Sequence, residues 1–173
     1  MATKYKLQDA NQLHGRNVFV DANVLIYLFW PTGQHHYEHN YARVFASLLR
    51  QKNNLYVDIF IISEIINRVL HNEHTRLQPT QKFKDFRDSS DGKQTLSDIY
   101  VILKENILSG FKIIGKNYNK QDIESFLVVD NLDFVDKSTL TICKENAFVL
   151  LTNDKDFKDT DIEILTGNPN ILS

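Results

Sequence analysis

The chain has 173 residues, 42% hydrophobic and 11% aromatic, a globular composition that excludes a disordered chain. One cysteine, Cys143, excludes an internal disulfide and a four-cysteine zinc site. The net charge of −2 hides an asymmetry: residues 1–120 carry 16 basic and 11 acidic side chains, whereas residues 121–173 carry 4 and 11.

Residues 1–16 are polar and lack the apolar stretch of a signal peptide, so they predict a short N-terminal arm on a cytoplasmic protein. Asn17–Asp21 predicts a first strand, buried on both faces because Val18, Phe19 and Val20 are continuous. Val24–Trp30 begins a helix; at seven residues it is the longest apolar run, far short of a membrane span. Tyr37–Gln51 has helical spacing, Leu55–Ile59 predicts a second strand, and Ile61–Leu70 a helix. Gln78–Gly92 is rich in Lys, Arg, Asp and Ser and predicts a loop, part of an insertion over about 78–97. Thr95–Leu108 predicts an amphipathic helix, Phe111–Ile114 a third strand, and Gln121–Val129 and Phe134–Asn146 two helices. Ala147–Thr152 and Ile162–Leu165 complete five predicted strands. Strands separated by helices predict one α/β domain over residues 1–173, with a mainly parallel sheet covered on both faces.

In such sheets, sites form at the carboxyl ends of strands. Asp21 closes the first strand, Glu64 opens the helix after the second, and Asp136 opens the helix before the fourth. Asp154, with Asp156 beside it, follows that fourth strand. Singly, each acid has a plain structural role open to it: Asp21 as a helix cap, Glu64 as a first-turn acid, Asp133 and Asp136 as a capping box. Jointly they gather at one sheet edge, where uncompensated carboxylates are costly unless a divalent cation neutralises them. All-oxygen ligands suit Mg2+ or Mn2+.

Val20-Asp21-Ala-Asn23-Val-Leu-Ile26, Ser63-Glu64-Ile-Ile-Asn67-Arg68, Asp133-Phe-Val-Asp136 and Leu151-Thr152-Asn-Asp154-Lys-Asp156-Phe157 resemble, in order and spacing, the acidic motifs of PIN-domain nucleases. The likeness is greatest to the VapC-like toxins of bacterial toxin–antitoxin pairs and covers roughly residues 17–166. It implies a three-layer α/β/α sandwich and a Mg2+- or Mn2+-dependent endoribonuclease leaving 5′-phosphate and 3′-hydroxyl ends. By motif position, Asp21, Glu64, Asp136 and Asp154 would be the catalytic, metal-binding acids and Asp156 a supporting ligand. Asn23, Thr152 and Asp133 would orient them. The partners implied are RNA, an antitoxin and a second copy of the chain. Two alternatives stay open: an RNA-processing nuclease that is no toxin, and a degenerate PIN-like domain that only binds.

Other constellations carry less. His35, His36 and His39 read as a solvated helix start rather than a zinc site, and Cys143 as core. Lys82-Phe83-Lys84-Asp85-Phe86-Arg87 interleaves cations with aromatics; Lys82, Lys84 and Arg87 could grip RNA, while the two phenylalanines could simply pack inward. Arg68, one turn beyond Glu64, could orient that acid or face the RNA. A phosphatase with a nucleophilic aspartate would resemble enzymes that place a second Asp where Asn23 stands. No Gly-rich phosphate loop occurs.

Overall fold

The structure is a computed structural model that describes residues 2–30, 33 and 35–173, apart from the side chain of His35. Its six strands are β1 (Lys4–Lys6), β2 (Asn17–Val20), β3 (Asn54–Val57), β4 (Lys112–Ile113), β5 (Val149–Leu151) and β6 (Ile164–Thr166). They form one sheet in the order β1-β6-β5-β2-β3-β4. Every neighbouring pair is parallel. The continuous apolar runs Val18–Val20 and Val149–Leu151 are fully buried, so β2 and β5 form the centre of the sheet.

The helices are α1 (Ala22–Phe29), α2 (His35–Arg50), α3 (Ile59–Leu77), α4 (Phe83–Asp88), α5 (Ser90–Ile102), α6 (Lys120–Phe126), α7 (Phe134–Asn146) and α8 (Pro169–Leu172). From β2 the chain steps outward to β3 and β4, then returns across the sheet to β5. Right-handed crossovers therefore put α1–α5 on one face and α6–α7 on the other. The contacts follow that division: α1 packs on α2 and α3, α3 on α5, and α6 on α7. This is the expected α/β sandwich. The strand order reverses between β2 and β5, so their adjoining carboxyl ends form the crevice where ligands collect in open α/β sheets.

Two expectations are corrected. The sheet has six strands, not five, because Lys4–Lys6 from the expected arm pairs in register with Ile164–Thr166. Three residues with one apolar side chain carry too little alternation to announce a strand. The pairing is held instead by Lys4 Nζ on the carbonyls of Thr160 and Ile162 (2.8 and 3.2 Å) and by Tyr5 Oη on Glu163 (2.8 Å). The second correction concerns Gln78–Gly92, which is not a loop throughout: α4 and the start of α5 lie within it. Ser89 caps α5, its Oγ accepting the Gly92 N–H at 3.2 Å. Gly92 lets α4 approach, since a Cβ there would stand 2.1 Å from the Phe86 carbonyl oxygen.

Candidate active site

The sheet register assembles the floor of the site. Val20 lies beside Leu151, so one step further Asp21 meets Thr152, from a strand 131 residues away. Asp21 ends β2 and caps α1: Oδ1 accepts the Ala22 N–H at 2.7 Å, while Oδ2 accepts from Asn23 Nδ2 at 2.7 Å and Thr152 Oγ1 at 2.6 Å. Thr152 Oγ1 in turn accepts the Asp154 N–H at 2.9 Å. Asn23 Oδ1 accepts the Asn153 N–H at 3.2 Å, locking the two turns together. Asn23 and Thr152 thus both donate to one oxygen of Asp21.

Asp21 is only 8% exposed. Burial, with the charges of Glu64 and Asp154, pushes it up to about 7 against the donated hydrogen bonds of Thr152 and Ala22. Asp136 rises to about 7 as well, by burial and then by the charges of Asp133, Asp21 and Asp154. Asp21 therefore acts on the surroundings of Asp136, and Asp154 acts on both.

Their supports differ. Asp136 sits in the first turn of α7, in a capping box with Asp133: Asp133 Oδ1 accepts the Asp136 N–H at 2.8 Å, and Asp136 Oδ2 accepts the Asp133 N–H at 3.1 Å. Asp154 caps the short turn Lys155–Phe157, accepting the Asp156 N–H at 3.0 Å. Glu64 lies in the second turn of α3 and pairs with Arg68 at 3.0 Å. Asp156 is exposed and contributes its backbone N–H to Asp154.

The expected substrate contacts Lys82, Lys84 and Arg87 are exposed on or beside α4, and Arg87 pairs with Asp88 at 2.9 Å. The aromatics between them face inward. Phe86 is fully buried, and Phe83 stacks on His71 at 3.6 Å between centroids. His71 and His74 are taken up by backbone carbonyls, and His36 pairs with Asn40.

Four residues of the site were not foreseen. Asp58 follows β3 and caps α3, accepting the Ile61 N–H at 2.9 Å. The register Phe19–Tyr56, extended two steps, brings it beside Asp21, and burial raises its carboxyl. Its signal was present, since an Asp before the apolar run Ile59–Ile62 is an N-cap signature. Tyr41 Oη lies 3.1 Å from the Thr152 carbonyl and 3.0 Å from Asn153 Oδ1; with Asn153 it braces the floor from α2. Lys137, one residue after Asp136, is buried. Its Nζ bonds the carbonyls of Phe126 and Val128 and pairs with Asp130 at 3.1 Å, pinning the α6–α7 connection.

Residues 18–163 match the PIN domain. The chain belongs to the PIN domain family. PIN domains are generally nucleases and generally use divalent metals. No curated protein matches the chain. Among solved structures, PAE2754 from Pyrobaculum aerophilum is similar over 92% of this chain and 96% of its own, with 16% identity and a TM-score of 0.51. VapBC2 from Rickettsia felis, bound to a DNA fragment from its promoter, is similar over 87% of this chain and 98% of its own, with 15% identity and a TM-score of 0.49. At such identity, the likeness to PAE2754 shows a shared fold.

Among the described residues, no three His, Cys, Asp or Glu side chains form a cage around a metal ion. The donor chemistry still fits a hard cation. Mg2+ keeps several waters and takes one or two protein carboxylates together with substrate phosphate oxygens, so it needs no complete protein cage. Two carboxyls raised to about 7, first by burial and then by neighbouring acids, also mark this edge as a candidate functional site.

Proposed function

We propose that this PIN domain is a Mg2+- or Mn2+-dependent endoribonuclease. The observation that carries the proposal is that Asp21 and Asp136 meet at the β2–β5 crevice, each raised first by burial and then by the charges of neighbouring acids, Asp154 among them for both. Asp21, Glu64, Asp136 and Asp154 would hold the cation, with Asp156 supporting it at the rim. When bound, such an ion supplies an activated water and steadies the departing oxyanion. The chain's own residues do the positioning. Thr152 and Asn23 fix one Asp21 oxygen, Arg68 turns Glu64, and the Asp133 box aims Asp136. Lys82, Lys84 and Arg87 belong to the proposal as peripheral phosphate contacts.

The experiment is cleavage of a labelled single-stranded RNA, with the matching DNA as comparison. Asp154→Asn should lower the rate by at least 10³-fold while circular dichroism stays unchanged; undiminished cleavage overturns the reading. The competing reading is a domain that binds without catalysis. Calorimetry with Mg2+ and Mn2+ separates them, because the competitor shows no uptake at millimolar concentration.

The toxin role, with an antitoxin and a second copy as partners, is also part of the proposal. The exposed apolar residues Leu127, Val128, Val129 and Phe134 beside the Asp136 cap offer a surface for a masking partner. A small adjacent reading frame whose product co-purifies with the chain and blocks cleavage would support the toxin role over RNA processing. No helix among the described residues is long and apolar enough to cross a membrane.

A further inference from the structure

The segments flanking the PIN match build a feature of their own. An open cleft of about 910 Å3 runs between the 3-10 segment Leu7–Leu13, one flank of α2 and the chain following β6. Lys6, Arg43 and Arg50 line it, and no carboxylate does. Of the six arginines in the chain, Arg16, Arg68, Arg76 and Arg87 are each paired with a carboxylate. The other two, Arg43 and Arg50, both belong to this cleft, and neither has an ion-pair partner among the described residues.

Their placement is regular. Asn40, Arg43, Ser47 and Arg50 recur at helical spacing along one face of α2. The two guanidinium groups thus stand two turns apart, about 10 Å along the axis. One wall of the cleft is tied to the acid edge through the buried Tyr41. Gly167, in its lining, donates its N–H to Tyr41 Oη at 3.0 Å, and the same hydroxyl lies 3.1 Å from the Thr152 carbonyl oxygen. Thr152 is the residue that holds Asp21.

An elongated, open cleft with spaced forked cations suits a linear polyanion better than a small anion. Guanidinium forks match phosphate oxygens, and amide and hydroxyl groups serve sugar and phosphate alike. Among the described residues no aromatic ring lines the cleft, so recognition falls on the backbone. We propose that this cleft is a track for the backbone of single-stranded RNA on one side of the cleaved bond. The proposal rests on the RNA reading above but places the RNA on residues that carry no catalytic role. An acidic segment of a protein partner is the competing occupant.

The test is fluorescence anisotropy on the full chain without divalent cation, using a labelled 20-nucleotide oligouridylate and, separately, a labelled octaglutamate peptide. Arg43→Ala with Arg50→Ala should weaken oligouridylate binding at least ten-fold. It should also reduce the slope of log affinity on log salt by about 1.4, the value for two lost single-strand phosphate contacts. Arg43→Lys with Arg50→Lys should keep the wild-type slope. Unchanged oligouridylate binding in the alanine variant overturns the track. So does a loss confined to octaglutamate, which assigns the cleft to an acidic protein. Failure of the nuclease reading has a separate signature: no RNA cleavage by the wild type, with arginine-dependent oligouridylate binding intact.

Discussion

Asp21 and Asp136 reach the same raised pKa by opposite constructions. Asp21 lies on the floor of the crevice, set by two central strands and by Thr152 from the far end of the chain. Asp136 belongs to a wall, set by its own helix start and a buried lysine one residue away. The floor is fixed by long-range register, so it loosens only if the sheet does. The wall is fixed by local bonds and one connection, so it can yield while the sheet stands. Stability differs across a structure in this way, with peripheral, locally bonded elements opening first.

The sharpest way to break the comparison is to alter the floor alone. Thr152→Val removes the hydroxyl donated to Asp21 and should cost 10- to 100-fold in RNA cleavage, the usual effect of losing a group that orients a ligand. That hydrogen bond lowers the Asp21 pKa, so its loss should move the acid limb of the pH–rate profile upward. An unshifted profile would mean that Thr152 does not set the Asp21 charge.

A second measurement titrates floor and wall together. Asp21 titrates near 7 in the folded protein against 3.8 without burial, so between those pH values the folded state holds more protons than the unfolded one. Metal-free stability should therefore rise as pH falls from about 7 to about 4. Asp21 contributes up to about 4 kcal/mol over that interval, and Asp136 acts in the same direction. Urea unfolding at pH 5 and pH 8 measures it, and greater stability at pH 8 would contradict the raised values.

Lys137→Met should act on the wall, costing about 2–3 kcal/mol because the carbonyls of Phe126 and Val128 lose their buried donor. Amide exchange should quicken over residues 126–136 and not over β2 or β5; uniform loss of protection would erase the distinction. The smallest effect serves as a control at the other end of α7. Ala147 ends that helix at φ +51°, a left-handed position that favours glycine. Ala147→Gly should raise the melting temperature by about 2–4 °C, the equivalent of about 1 kcal/mol, and leave cleavage untouched.

The floor was more legible in the sequence than the wall's supports. Unbroken apolar triplets mark β2 and β5, and an acid directly after such a strand stands at its carboxyl end whatever the strand order. Asp133-Phe-Val-Asp136 is legible for a local reason too, since a capping box is complete within four residues. Asp58 is hidden in the sequence because Leu55–Ile59 reads as one strand through it, whereas the strand ends at Val57 and Asp58 caps the next helix. Nothing in the sequence joins Tyr41 to Asn153, because the bond between them spans 112 residues. Lys137 lies in an ordinary amphipathic helix, and only the fold shows that its ammonium group is enclosed.

The sequence by itself determined the alternation of strand and helix, the parallel sheet that such alternation requires, and the placing of acids at strand and helix ends. Hydrophobic period and capping chemistry act over a few residues, so they are written locally. Tertiary structure alone decided that β2 and β5 adjoin, that Lys4–Lys6 closes an edge as a sixth strand, and that Asp21 is buried while Asp156 is exposed. Register and burial depend on residues more than a hundred positions apart, and the raised pKa values of the crevice carboxyls follow from them rather than from any one motif.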